Sequence, residues 1–163
     1  MIIVLIGPSG CGKTAVGRAL AGELAWPFLD ADDLHDPAAR AKMASGTPLD
    51  DADRAPWLAR VGQRIAELAT TARGVVAACS ALRRAYRDTL RAAAPAARFV
   101  LLDADEPTLS RRVGSRRGHF MPASLVASQL AILERSPELL TVDAAQPIAE
   151  IVDVVRRQLD LAR

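Results

Sequence analysis

The chain has 163 residues, half of them apolar and a quarter charged, with a formal net charge of +2. That is one domain's worth of sequence with apolar content for a sizeable core; the small net charge excludes a global nucleic-acid field, and no apolar run approaches the roughly 18–20 residues that span a bilayer. Cys11 and Cys79 are too few for a disulfide framework, and with a core strand at the start in place of a basic leader, the expected compartment is the reducing cytoplasm.

Ile2–Ile6 reads as a buried strand and opens directly into Gly7-Pro8-Ser9-Gly10-Cys11-Gly12-Lys13-Thr14. This is the G-x-x-x-x-G-K-[ST] phosphate-binding loop in its proper setting, a strand before it and a helix, Lys13–Leu24, after it. The glycines let the backbone curl until successive N–H groups converge on phosphate oxygens. Lys13 reaches the β- and γ-phosphates, Thr14 offers a hydroxyl to Mg²⁺, and the helix adds the positive end of its dipole. The loop predicts binding of a nucleoside triphosphate. By itself it does not separate kinases from ATPases, GTPases or nucleotide-gated binders.

Pro27–Asp30 is a short second strand, followed by Asp30-Ala31-Asp32-Asp33-Leu34-His35. Ligands of open parallel sheets bind at the carboxyl ends of the strands. Carboxylates there would take a proton from an attacking hydroxyl or hold Mg²⁺ through water, and Asp32 is the candidate. The same run also suits capping of the next helix, with Asp30 and Asp33 structural. Ala38–Ser45 reads as a short helix stopped by Gly46 and Pro48. Asp53, read as an N-cap, opens an amphipathic stretch to about Thr71, with Trp57, Leu58, Val61, Ile65 and Leu68 at helical spacing. Trp57 reads as core, whereas Arg54 stands at a helix start and can face a cleft.

Val75–Cys79 is a continuous apolar strand. It ends in Cys79-Ser80 where many motor and switch NTPases carry an acidic residue, which weighs against those classes. In the helix over Arg83–Ala94, Arg83, Arg84 and Arg87 are either surface residues or include one that holds an anionic group. Phe99–Leu102 is a fourth strand, Pro107–Val113 a helix, Pro122–Leu133 a helix with proline in its first turn, Leu140–Val142 a weak fifth strand, and Pro147–Leu161 a closing helix. The basic, glycine-bearing segment Gly114–Met121 is either a lid or a solvated connector. Five strands alternating with helices imply an α/β fold, a parallel sheet covered on both faces.

Taken together, the phosphate-binding loop, the Asp30–His35 run, Lys42-Met43-Ala44-Ser45-Gly46-Thr47-Pro48-Leu49 with Asp53-Arg54-Ala55-Pro56-Trp57-Leu58, Cys79-Ser80-Ala81-Leu82 with Tyr86-Arg87-Asp88, and Arg116-Arg117-Gly118-His119-Phe120-Met121 with Ser128-Gln129 and Leu133-Glu134 resemble the gluconokinases over nearly the whole chain. The resemblance implies a single P-loop kinase domain of the three-layer, nucleoside-monophosphate-kinase type. Its sheet would have strand order 2-3-1-4-5, and a mobile lid would lie at about 112–122. It implies ATP and Mg²⁺ as cofactors and phosphorylation of D-gluconate to 6-phospho-D-gluconate, with no nucleic-acid or membrane partner and a homodimer as the expected assembly. Residue by residue, it implies that Lys13, Asp32 and Arg116 are catalytic. Gly7–Thr14, Arg112, Arg116 and Gln146 would bind nucleotide, Gln146 from the Val142–Pro147 loop against adenine. Asp32, His35, Arg54, Arg87 and His119 would bind the substrate, and Thr14 with Asp32, through water, would hold the metal. The chain departs from the family pattern at Cys11, Ala31 and Ala39, the last two beside the expected substrate. Two rivals remain open from sequence: another small-metabolite kinase of the shikimate kinase type, and a nucleotide-binding protein without turnover.

Overall fold

Five apolar segments pair into one parallel sheet in the order β2-β3-β1-β4-β5, in a computed structural model that describes residues 1–115 and 124–161. The strands are β1 (Ile2–Ile6), β2 (Phe28–Asp30), β3 (Val75–Ala78), β4 (Ala97–Asp103) and β5 (Leu140–Asp143). The helices between them are α1 (Lys13–Leu24), α2 (Pro37–Ala44), α3 (Asp51–Thr71), α4 (Arg84–Ala93), α5 (Glu106–Gly114), α6 (Leu125–Ile132) and α7 (Ile148–Gln158). The order is the one the resemblance implies.

Alternate residues of the central strands enter two separate cores, because successive strand side chains point to opposite faces. Ile2, Val4 and Ile6 of β1, with Phe99 and Leu101 of β4, share one core with Trp57, Leu58, Val61 and Ile65 of α3 and Leu90 of α4. Ile3 and Leu5, with Val100 and Leu102, share the other with Val16 and Leu20 of α1, Leu109 of α5 and Ile151, Val152 and Val155 of α7. With both faces covered, β1 has no solvent side to mark by alternation, so it reads as an unbroken apolar run. Every strand is parallel to its neighbour. The segments that follow β1, β2, β3 and β4 therefore all emerge at one edge of the sheet, where the site is built.

Several local readings shift. The third helix begins at Asp51, not Asp53. Asp50 is its N-cap, accepting the Asp53 N–H at 2.8 Å, while the Asp53 carboxylate accepts the Asp50 N–H at 3.0 Å. This reciprocal capping box satisfies two end donors at once, and Asp53 is its inner half. Lys42, one of the chain's two lysines, donates to Asp53 Oδ2 and so ties α2 to the start of α3. The acidic run after β2 winds one 3-10 turn, Ala31–Leu34, capped by Asp30, which accepts the Asp32 N–H at 3.2 Å. Arg112–Gly114, the leading edge of the expected lid, is the last turn of α5. Residues 116–122, including Arg116, His119 and Pro122, lie outside the described residues. Among the described residues no helix is long and apolar enough to cross a membrane.

Candidate active site

The phosphate-binding loop leaves β1 through Gly7, at φ 140°, and turns again at Gly10, at φ 88°. Both positions also lack room: a Cβ on Gly7 would sit 2.8 Å from Cys11 Sγ and from the Leu102 carbonyl oxygen, and one on Gly10 would sit 2.7 Å from the Leu109 carbonyl oxygen. Only glycine fits, and the loop is wedged between the ends of β4 and α5 as a result. Lys13 Nζ donates back to the carbonyls of Gly7 at 2.9 Å and Pro8 at 3.1 Å, so its charge lies inside the curl. Among the described residues nothing accepts from the N–H groups of Gly10, Gly12, Lys13 or Thr14. A loop with unpaired N–H groups, a half-buried ammonium and a helix N-terminus behind it is an anion cradle.

One cavity opens against this cradle, and a second reaches it through Gln129, whose side chain meets Ser9. The first is lined by Gly10, Cys11 and Gly12 together with Arg112, Gln146 and Ile148. Arg112 donates to the Ala144 carbonyl at 2.8 Å, which ties the end of α5 to the loop after β5. Ile148 is one of two large apolar side chains left exposed among the described residues, and a nucleobase laid here would cover it. The sequence expectation for Arg112 and Gln146 thus falls on one cavity wall.

The other cavity, about 330 Å³, is lined by Arg54, Arg83, Tyr86, Asp51, Ser128 and Gln129, with Met43, Leu49 and Leu125 on its apolar side. Those three apolar residues form a small cluster of their own, apart from both main cores, where α2 meets α6. Arg54 lies 5.5 Å and Arg83 5.9 Å from the centre of the Tyr86 ring. Tyr86 donates to Asp51, which also pairs with Arg83 at 3.0 Å. Burial, and then that hydrogen bond to a carboxylate, raise the Tyr86 pKa, so the phenol stays protonated. The Arg54 backbone start is fixed by the capping box, and its Nε donates to the Leu49 carbonyl at 3.2 Å. Arg54 and Arg83 face the cavity together with the Asp50 and Asp51 carboxylates, so an anion bound there would pair with Arg54 and share Arg83 with Asp51.

Arg87, expected to grip the substrate, does something else. It is 1 % exposed, and its guanidinium donates to the carbonyls of Ala81, Leu82 and Glu134 at 3.0–3.2 Å. All of those acceptors are main chain, so Arg87 holds the exit of β3 against the segment after α6 and does not line the cavity. Arg83, four residues earlier, takes the cavity position. The sequence signal was similar for both, an arginine near the start of an amphipathic helix, but Arg83 is the N-cap outside the first turn whereas Arg87 lies inside the helix and is buried.

His35 likewise stands back. It is 8 % exposed and stacked on Trp57, with ring centroids 4.2 Å apart. Burial, with Arg54 and Arg40 nearby, lowers its pKa to about 4, so it is neutral at pH 7. Its Nε2 lies 3.9 Å from Asp32 Oδ1, and its Nδ1 has no hydrogen-bond partner among the described residues. With Trp57, whose Nε1 donates to the Ala31 carbonyl at 2.8 Å, it backs the turn that carries Asp32. The Asp32 carboxylate is about one-third exposed. Burial is the main reason the Cys79 thiol is pushed up to about 12, so Cys79 is unreactive; Cys11 is also buried and free.

Asp30, a structural candidate in the sequence, accepts the Thr14 hydroxyl at 2.8 Å through Oδ2. The hydroxyl–carboxylate pair at the end of β1 and β2 is a hard-oxygen donor set that fits Mg²⁺, and it involves Asp30 more directly than Asp32.

A family model described as an AAA domain matches residues 2–137. The gluconokinase of Gluconobacter oxydans is 48% identical over 132 residues, covering 81% of this chain and 74% of the relative. Among solved structures, a sugar kinase from Janibacter sp. HTCC2649, unliganded, has a TM-score of 0.91 at 38% identity, covering 99% of this chain and 95% of that one. A gluconokinase from Sinorhizobium meliloti 1021 has a TM-score of 0.82 at 45% identity, covering 98% and 94%.

Proposed function

The chain belongs to the gluconokinase family, built on the P-loop kinase fold, and from that premise we propose that it transfers the terminal phosphoryl group of ATP to the 6-hydroxyl of D-gluconate. The products are 6-phospho-D-gluconate and ADP. The observation that carries the reading is the cavity beside the anion cradle in which Arg54 and Arg83 both face a space of about 330 Å³. A small acid with a hydroxyl at its far end fits that arrangement.

The chemistry is largely one of charge. ATP and a sugar acid repel each other, and phosphoryl transfer needs little beyond alignment and electrostatic compensation. The loop amides, Lys13 and the α1 dipole take the phosphates. Arg54 and Arg83 take the carboxylate, and Ser128 and Asp51 offer polar atoms to the hydroxyls. Asp32 orients or deprotonates the attacking hydroxyl. Arg112 and Gln146 flank the nucleoside. Arg116 and His119, by family resemblance, complete the phosphate and substrate contacts. Thr14 with Asp30 holds Mg²⁺, and Asp32 assists through water. That ion supplies neutralising charge to the phosphates. Cytoplasmic location and a homodimeric assembly belong to the same proposal.

The test is a panel of sugar acids and shikimate with ATP and Mg²⁺, read by ADP release and by ³¹P NMR of the product. Gluconate-dependent turnover with a phosphate ester at C6 is expected. Turnover on shikimate alone, or ATP binding without turnover on any acceptor, overturns it.

A further inference from the structure

Gln129 takes no part in the chemistry described above, yet it touches both halves of the site. It lies on α6 and is 7 % exposed. Its Oε1 accepts the Ser9 N–H at 2.6 Å, a contact spanning 120 residues of sequence. It also lines the acceptor cavity with Arg54, Arg83 and Tyr86.

Ser9 is the third residue of the phosphate-binding loop. Gly7 N–H donates to the Ser80 carbonyl at 3.3 Å, Cys11 N–H donates within the loop to Pro8, and Pro8 has no N–H. Among the described residues, Ser9 is therefore the loop donor committed to a side chain from another part of the fold. The neighbours of Gln129 on α6 that face inward, Leu125 and Val126, are buried and apolar. Burying an amide among them is costly unless it is hydrogen-bonded, and a methionine would fill the same space without that cost. The amide is thus better explained by its contact with Ser9 than by packing.

We propose that Gln129 is a positioning residue that clamps the acceptor-side edge of the phosphate-binding loop to α6. The loop that presents the phosphoryl group and the cavity that presents the hydroxyl then keep one relative placement. This rests on the gluconokinase reading for the identity of the acceptor, but the clamp itself does not depend on it. A misplacement of about 1 Å between reacting groups costs on the order of 10²-fold in rate.

The experiment compares wild-type protein, Gln129→Met and Gln129→Glu. Methionine keeps the volume and removes the acceptor atom; glutamate keeps an oxygen at the same reach. For Gln129→Met we expect unfolding at or above the wild-type temperature, affinity for a non-hydrolysable ATP analogue within about threefold, and kcat on gluconate down roughly 30- to 100-fold. Gln129→Glu should recover at least about tenfold of that loss at saturating ATP, with a higher KM for ATP from charge repulsion. In ¹⁵N–¹H spectra the Ser9 amide should move in the methionine variant and stay near its wild-type position in the glutamate variant. A methionine variant with kcat within about threefold of wild type, an unmoved Ser9 amide, or a joint fall of unfolding temperature, nucleotide affinity and kcat overturns the clamp. If the methionine variant does not fold, Gln129→Asn, one methylene too short to reach Ser9, carries the same comparison. If wild-type protein ignores gluconate, the proposed function fails, and the Ser9 resonance still decides the clamp.

Discussion

The two cavities that meet the phosphate-binding loop are made differently. The cavity against the loop draws nearly half of its lining from one contiguous stretch and the rest from small or apolar residues: Gly10, Cys11 and Gly12 of the loop, Ala15 and Val16 of α1, and the turn after β5, with Arg112 and Gln146 added at its wall. The acceptor side is mostly side chain, with Asp51 and Arg54 from α3, Arg83 before α4, Tyr86 on α4, and Ser128 and Gln129 on α6. The first is rigid because glycine geometry and the end of a strand leave it one shape. The second is rigid because its charged groups hold one another, Tyr86 and Arg83 on Asp51, and Lys42 on Asp53. A site built on one contiguous stretch is fixed by local sequence, whereas a side-chain-built site exists only when distant helices meet at the right phase.

That contrast is open to attack by mutation. Lys13→Ala should give the largest effect, a loss of roughly 10³-fold or more in kcat with the fold intact, because it removes the fixed charge from the cradle; circular dichroism with steady-state kinetics checks it. Asp32→Asn should lower kcat roughly 10²- to 10³-fold while ATP affinity, measured by calorimetry, stays within a few-fold. Near-normal turnover in that variant would remove Asp32 from the chemistry. Arg87→Met should cost about 3 kcal/mol of stability in urea, since it strands main-chain carbonyls at the exit of β3, yet change KM for gluconate by less than about twofold.

The acid side of the stability curve probes His35. Its pKa falls from 6.5 to about 4 on folding, so below pH 6.5 the unfolded chain takes up the proton first. Stability from this residue is intact above pH 6.5 and falls as pH drops toward 4, by about 2 kcal/mol between pH 7 and pH 5. Urea midpoints at the two pH values should show the drop, and His35→Phe, which keeps the stack on Trp57, should lose that share of it. Arg83→Met should be the mildest change. Its exposed pair with Asp51 contributes at most about 1 kcal/mol to stability, but KM for gluconate should rise roughly tenfold through loss of a charge-assisted contact. If instead Arg87→Met raises KM and Arg83→Met does not, the assignment of the two arginines is reversed.

The sequence alone was enough for five strands in a parallel sheet, while their order was implied by the family resemblance. Runs such as Ile2–Ile6 and Val75–Cys79 are apolar throughout because both faces are covered, and the helices between them carry a 3.6-residue apolar period. Boundaries moved by a residue or more, as where β4 runs Ala97–Asp103 and not Phe99–Leu102, and where α3 starts at Asp51 because Asp50, not Asp53, is its N-cap. The phosphate-binding loop was equally legible, because its function is carried by contiguous backbone and needs only glycine, lysine and threonine at fixed spacing. The contact of Asp30 with Thr14 was not legible, because Thr14 follows a different strand and register between strands is a property of the sheet.

What the sequence determined by itself, then, is every feature whose cause is local: strand and helix periods, the anion cradle, and an acidic turn after β2. The tertiary structure alone decided that Arg83 and not Arg87 lines the cavity beside Tyr86, that His35 is buried and neutral, and that Gln129 reaches Ser9. Those outcomes depend on where a helix begins and on contacts spanning up to 120 residues. Residues four apart share a helix face, so it is the packing at each end of that face, not the local sequence, that leaves Arg83 at a cavity and buries Arg87 against main-chain carbonyls.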